Sequence, residues 1–170
     1  MRVTQQRHFN LSAAKLMERL TQQEFYESRF AVQGVESYQF EQCAAQAEGF
    51  VVHIVRTIEV DMNRIPSFAR RFVNSTMPLV TRFVWQNHAE APFFGAYTVK
   101  IGNAPVSIEG KVQITEVAEH QCQQLIDIEI NSAIPVMGKK IARALAERVE
   151  EVIEKDYQAT LQVLAAEAKG

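Results

Sequence analysis

The strongest constraint on this chain lies at its C-terminal end, where apolar residues recur at helical spacing from Met137 to about Ala168. Met137, Ile141, Leu145, Val149, Val152, Tyr157, Leu161 and Leu164 fall near one stripe. One helix of about 32 residues is about 48 Å long, enough to cross a whole sheet. Its other face carries Arg143 with Glu147 and Glu151 with Lys155 at i,i+4, the pattern of a solvated helix face. A helix this long and this one-sided needs a broad apolar surface opposite it.

The middle of the chain supplies that surface. After Gly34 the period changes to two, and Val35 to Cys43, Phe50 to Val60, Leu79 to Asn87, Phe93 to Ile101, Val106 to Val117 and Cys122 to Ile130 read as strands. Most connections are short and carry turn residues, as at Gly49, Pro92, Gly102-Asn103-Ala104-Pro105 and Glu119-His120, so neighbouring strands pair as antiparallel hairpins. Asp61 to Pro78 is the one long connection. Ahead of these strands, Arg2 to Phe9 alternates as a strand, and Asn10 or Ser12 caps a helix over Ala13 to Leu20. Thr21-Gln22-Gln23-Glu24 has capping-box spacing and starts a second helix, through about Phe30. The predicted fold class is α+β: strand, two short helices, six strands, long helix.

With 170 residues, one domain over 1–170 is expected, and no repeat or composition break marks a linker. Eighteen Lys and Arg against twenty Asp and Glu leave a formal charge of −2, too balanced to hold nucleic acid by bulk charge. No apolar run approaches the roughly 20 residues that span a bilayer, and the first residues lack a signal-peptide core, so a cytoplasmic protein without stable membrane insertion is expected. Cys43 and Cys122 lack metal-ligand spacing and read as free thiols, on strands placed well apart.

Three local features join this order of elements: the short N-terminal strand, Ile65-Pro66-Ser67-Phe68 before a basic turn, and the Trp-bearing strand Phe83-Val84-Trp85. Together they resemble the bacterial family known as domain of unknown function 2505. The order itself is similar to the helix-grip fold of the START-like, Bet v 1-like (SRPBCC) superfamily. That resemblance implies a curved seven-stranded antiparallel sheet wrapped around the C-terminal helix, with an apolar cavity between them. Superfamily members bind lipids, sterols, hormones or polyketides, and some act as cyclases or aromatases, so the fold alone does not choose among them.

Taking the more apolar register of each strand as the face toward the helix gives a lining of Phe50, Val52, Ile54, Arg56, Ile58 and Val60, then Thr81, Phe83 and Trp85, then Tyr97, Val99 and Ile101. Ile108, Gly110, Val112 and Ile114, then Ile126, Ile128 and Ile130 complete it. Of these, Ile54, Arg56, Ile58, Thr81, Phe83, Trp85, Tyr97, Val99, Ile108, Val112 and Ile128, with Ile141, Leu145 and Val149 from the helix, are the candidate ligand-binding residues. An apolar wall with a few polar groups is what a small-molecule site needs, and equally what a filled core needs. Arg56 is the outlier between Ile54 and Ile58. Its guanidinium stays charged and must meet a carboxylate, carbonyls, water or an anionic ligand, unless a bulge turns it outward. Thr81 and Tyr97 offer hydroxyls to a ligand or simply satisfy the strand, and Trp85 reads as core with its indole N–H bonded nearby.

The long connection reads as a lid around one helical turn or two, with Phe68 and Phe72 on one side and Arg64, Arg70 and Arg71 elsewhere. Its alternatives are a plain plug and weak membrane docking by one basic amphipathic turn. Alternating hairpins place this connection, the Gly102–Pro105 turn and the Asn131–Val136 turn at one end. Met62, Ile65, Phe68, Phe72, Met77, Ile134 and Met137 are then available to close a mouth there, with Asn74-Ser75-Thr76 as hinge and Pro66 and Pro78 restricting its ends.

For catalysis the parts are missing. The inward register contains no Asp, Glu or His. His8, His53, His88 and His120 are scattered, and no GxSxG, P-loop, GxGxxG or zinc-ligand spacing occurs. No cofactor, metal or catalytic residue is assigned. The expected function is binding of a hydrophobic or amphipathic small molecule, lipid-like or polyketide-like, between sheet and helix. The rivals are a cyclase-like enzyme in which Arg56 and Tyr97 polarise a carbonyl, and a filled interaction module whose outer face presents Val51, Val55, Val80 and Val84. Neither the ligand nor the oligomeric state is legible in the sequence.

Overall fold

Ser12 begins the helical part of the fold: its hydroxyl accepts from the Lys15 N–H at 3.2 Å and caps α1, Ala13–Leu20. Thr21 ends that helix. Its hydroxyl donates back to the Met17 and Glu18 carbonyls, so the expected capping box does not form, and α2, Gln23–Gln33, starts at Gln22 without a side-chain cap. Gly34 closes α2 in the left-handed conformation (φ 70°), and the Val35 N–H bonds the Phe30 carbonyl at 2.8 Å. Val35 therefore still belongs to the helix stop, which is why β2 runs Tyr38–Gln46 and not from Val35. A computed structural model describes all residues 1–170.

The remaining strands are β1 (Arg2–Phe9), β3 (Gly49–Glu59), β4 (Thr76–Trp85), β5 (Phe93–Ile101), β6 (Val106–Ala118) and β7 (Gln121–Ser132). They form one antiparallel sheet in the order β1-β7-β6-β5-β4-β3-β2. Irregularities between Phe40 and Gln42 and between Glu116 and Ala118 bend its two flanks. Arg2 and Asp127 form an ion pair across β1 and β7, and this hydrogen bond holds the Asp127 carboxyl below its ordinary pKa. Cys43 on β2 and Cys122 on β7 lie five strands apart, about 24 Å along the sheet, and both are free.

Strand β4 starts three residues earlier than the pattern suggested and takes Thr76, Met77 and Pro78 out of the expected lid and hinge. The Pro78 carbonyl accepts from Gly102 beyond the last β5 ladder residue, so the missing N–H of the same residue faces no strand partner.

The long helix α3, Gly138–Lys169, crosses the sheet. It buries Ile141, Ala142, Ala146, Ala159, Thr160 and Val163, whose small side chains allow close approach to α2, β7 and β1. Ile153 turns inward in place of the expected Val152, which is 52% exposed, because the apolar row steps by four residues from Val149. The charges of α3 also do more than solvate it. Neither expected i,i+4 pair forms: Arg148 pairs with Glu151 at i,i+3, Glu154 reaches Arg7 on β1 at 2.9 Å, and Asp156 reaches Arg29 on α2 at 3.2 Å.

The candidate site on the concave face

Cross-strand pairing places the expected lining on one face. Phe50 lies opposite Trp85, Val52 opposite Phe83, Ile54 opposite Thr81 and Arg56 opposite Leu79; Phe83 in turn faces Tyr97, and Tyr97 faces Gly110. The packing is uneven across this face. On the half under α3, Ile108, Val112, Ile114, Ile128 and Ile130 are buried, whereas on β3, β4 and β5 the half-buried Phe50, Ile58, Leu79, Thr81, Phe83, Val99 and Ile101 stand between the buried Val52, Ile54, Trp85 and Tyr97. Leu145 and Val149 of α3 are half-buried as well, and Ile141 is buried. The accessible part of the concave face is thus a strip along β3 to β5.

Two aromatic rings shape it. A Cβ on Gly95 would come within 2.7 Å of the Trp85 ring, and one on Gly110 within 2.3 Å of the Tyr97 ring, so each glycine makes room for the ring of its cross-strand neighbour. Phe83 flanks Tyr97 with centroids 5.1 Å apart. Trp85 is core, as expected, but its indole N–H has no partner in hydrogen-bonding geometry; the neighbouring Tyr26 hydroxyl donates to the Leu20 carbonyl. Burial raises the Tyr97 pKa, with Asp127 adding to the rise, so its phenol is a neutral donor at physiological pH.

Arg56 faces inward and is half-buried beside the aromatic end of the strip. Its guanidinium carbon lies 5.2 Å from the centre of the Phe30 ring of α2, and Tyr38 is its neighbour on β2. Of the eleven arginines, six are in ion pairs with carboxylates and Arg56 is not one of them. Its Nε is buried without a partner. Burial lowers its pKa and Asp156 opposes the fall, but Asp156 is already engaged by Arg29 and Gln33. The charge on Arg56 is therefore uncompensated by any carboxylate in contact with it.

At the end of the strip lies the mouth. The residue 60–75 connection contains two short 3-10 turns, Met62–Arg64 and Arg70–Phe72. Met62, Ile65, Phe68, Phe72 and Met137 are half-buried around it, while Met77, inside β4 against Gly102, and Ile134 are buried. A hollow of about 210 Å³ opens here, lined by Phe72, Asn74, Thr76, Met77, Pro78, Gly102 and Asn103. A wider one of about 520 Å³ lies beside it at Glu59, Val60, Asp61, Ser75 and Thr76. Neither lies between the sheet and α3.

Several residues that shape the site escaped the sequence reading. Leu79 extends the period-two row of Thr81, Phe83 and Trp85 by one step, and Tyr38 and Phe40 on β2 were masked by the irregularity that follows Phe40. Glu116 falls in the inward register at the far end of β6, where its carboxylate accepts from the Ala13 N–H at 2.6 Å; this is the one acid in a row expected to hold none. On the outer face Val51 is fully buried, and Val55, Val80 and Val84 are half-buried. No three His, Cys, Asp or Glu side chains gather as a metal set, and no helix is long and apolar enough to cross a membrane.

A curved seven-stranded antiparallel sheet gripping a long C-terminal helix defines the class by its fold, the helix-grip fold that START-like and Bet v 1-like proteins also adopt. Solved structures share it at low identity. The START superfamily protein from Mycobacterium smegmatis is 12% identical with a TM-score of 0.57, covering 95% of this chain and 98% of its own. The Zhui aromatase/cyclase from Streptomyces sp. R1128 is 14% identical with a TM-score of 0.61, covering 99% and 93%. Norcoclaurine synthase from Thalictrum flavum is 8% identical with a TM-score of 0.62, covering 97% and 86%. No curated protein matches the sequence. Within the class, the chain belongs to the family described as "Protein of unknown function (DUF2505)", whose model matches residues 4–164.

Proposed function

We propose that the protein binds a long amphipathic small molecule with an anionic head, laid along the concave strip of β3 to β5 beside α3. The observation that carries this reading is Arg56: a half-buried guanidinium among aromatic rings, in no ion pair, with its Nε unsatisfied. A carboxylate or phosphate placed there gains a charge-assisted hydrogen bond that the protein itself leaves unmade. The half-buried apolar residues of the strip then supply area for the tail, and the Tyr97 and Thr81 hydroxyls are donors farther along it.

The spacing favours a carrier over the cyclase-like reading. Arg56 and Tyr97 stand four residues apart along the strands and two strands apart, about 16 Å between backbones, which suits the two ends of one ligand better than one carbonyl. A filled module is the second reading, because Phe50, Phe83, Val99 and Ile101 of the strip pack against the core and Trp85 and Tyr97 beside them are buried. The test compares dodecanoic acid with dodecanol, which share a tail and differ at the head. Arg56→Leu is expected to weaken the acid by about 10- to 100-fold, from the roughly 1.5–3 kcal/mol of a charged hydrogen bond, and to leave the alcohol nearly unchanged. Equal losses for both reject the anchor.

A further inference from the structure

The arginines outside ion pairs are not scattered. Apart from Arg56 they are Arg64, Arg70 and Arg71 in the 60–75 connection and Arg143 in the second turn of α3; all four are exposed. Lys139 and Lys140, also exposed and unpaired, begin the same helix. The register brings these segments to one end of the molecule: Glu59 pairs with Thr76, Gly102 bonds Pro78, Ala133 bonds Pro105, and Ser132 packs on Gly138 at the start of α3. Six cations thus lie on segments at the end of the molecule that carries the mouth, against Glu36, Glu59 and Asp61, in a chain whose formal net charge is −2.

Among these cations stands Val136. It is 99% exposed and held at φ 66°, a left-handed conformation that a β-branched residue adopts only at a cost in strain. The left-handed backbone belongs to the turn closed by the Met137 N–H on the Pro135 carbonyl at 2.7 Å, from which α3 starts; the valine side chain, held fully in water beside unpaired lysines, packs on nothing within the fold. An apolar tip at the cationic end of the molecule matches the chemistry of an anionic bilayer surface, which takes the side chain at its interface and the charges at its headgroups.

We infer that the mouth of the protein docks reversibly on membranes that contain anionic lipid, with Val136 touching the interface and Arg64, Arg70, Arg71, Lys139, Lys140 and Arg143 meeting the headgroups. This goes beyond the proposed binding function, because it concerns the outer rim and needs no ligand in the site. It does place the open end of the strip against a source of amphipathic molecules, with Arg56 about 10 Å inside, three residues before the end of β3.

The test is cosedimentation of the full chain with vesicles of phosphatidylcholine alone and of equimolar phosphatidylcholine and phosphatidylglycerol. The protein is expected to partition onto the anionic vesicles only, and to leave them as salt is raised. A cation near an anionic leaflet adds about fivefold to partitioning, so Arg70→Glu with Arg71→Glu, and separately Lys139→Glu with Lys140→Glu, should each lower it by about 25-fold or more. Val136→Asp should lower it with all six cations kept, while Lys111→Glu on the convex face should not. Circular dichroism and dodecanoic acid binding without vesicles keep each variant's fold and the proposed ligand site separate from docking. Partition onto phosphatidylcholine alone, no partition onto either vesicle, indifference to the charge reversals, or equally tight binding to soluble polyglutamate would each overturn the inference, the last in favour of an acidic protein partner.

Discussion

The Tyr97 ring occupies the space above Gly110, its direct neighbour on β6, so closely that a methyl group on that glycine would come within 2.3 Å of the ring. Phe83, at 5.1 Å on the next strand, limits how far the ring can retreat. Gly110→Ala should therefore destabilise the protein by about 1–3 kcal/mol, the usual cost of overpacking. It should also move the Tyr97 hydroxyl away from the strip. Urea denaturation measures the first effect; a Gly110→Ala variant of unchanged midpoint would show that the ring shifts freely.

The contact between α2 and α3 depends on an unequal pair. Arg29 is 7% exposed, stacks 4.7 Å from the Tyr26 ring and bonds both Thr160 and Asp156, whereas the Asp156 side chain is 43% exposed. Removing the acid leaves a buried cation; removing the cation leaves an acid that can turn to water. Asp156→Ala is expected to cost more than Arg29→Met, by about 1–2 kcal/mol after allowing for the exposed carboxylate. Chemical denaturation of both variants checks the order, and the reverse order contradicts it.

Stability should fall on the alkaline side. Burial pushes the Cys122 thiol up to about 11, and Glu116 adds to the rise. A raised folded-state pKa contributes stability that is complete below the unfolded thiol pKa, near 9, and is lost as pH climbs toward 11. Tyr26 and Tyr97 are also raised by burial and extend the loss above pH 10. Melting temperatures from pH 8 to 11 should decline, and Cys122→Ala should flatten the first part of that decline. In the native protein at pH 8 a thiol reagent should reach half-buried Cys43 before Cys122, which is fully buried, and the unfolded chain should titrate two thiols.

The aromatic residues of the connection should govern access more than folding. Phe68 and Phe72 are half-buried, in and beside short 3-10 turns, so Phe68→Ala with Phe72→Ala should change the unfolding midpoint little while speeding both entry and release of a hydrophobic fluorescent probe. Stopped-flow kinetics and a denaturation curve decide it together. A large loss of stability with unchanged kinetics would make these rings core.

Much of the fold is written in periodicity. The α3 stripe, the alternation of β3, β5 and β6, and the turns between them define which faces meet, because burial of one face enforces the period. What escaped depends on partners far away in sequence. Thr21 fits a capping box locally, yet its hydroxyl is taken by the helix behind it. Glu154 and Asp156 look like solvated helix charges, yet each meets an arginine more than 120 residues away. The inward position of Arg56 was legible in the alternation; its lack of a partner was not, since that requires knowing that Arg29 already holds Asp156. The strained, exposed Val136 has no sequence signature at all, because nothing in Pro135-Val136-Met137 announces a positive φ.

The binding proposed for the concave strip depends on Arg56 meeting an anionic head. Its most direct test is gentle native mass spectrometry of the protein and of Arg56→Leu, each purified from cells and each then offered dodecanoic acid, with solvent extraction of anything bound. The unaltered chain is expected to carry, or to take up one for one, a molecule bearing a carboxylate or phosphate, and Arg56→Leu is expected to be folded but bare. A folded, unaltered chain that stays bare after exposure to the acid, or one that holds only neutral molecules equally well with and without Arg56, would contradict it.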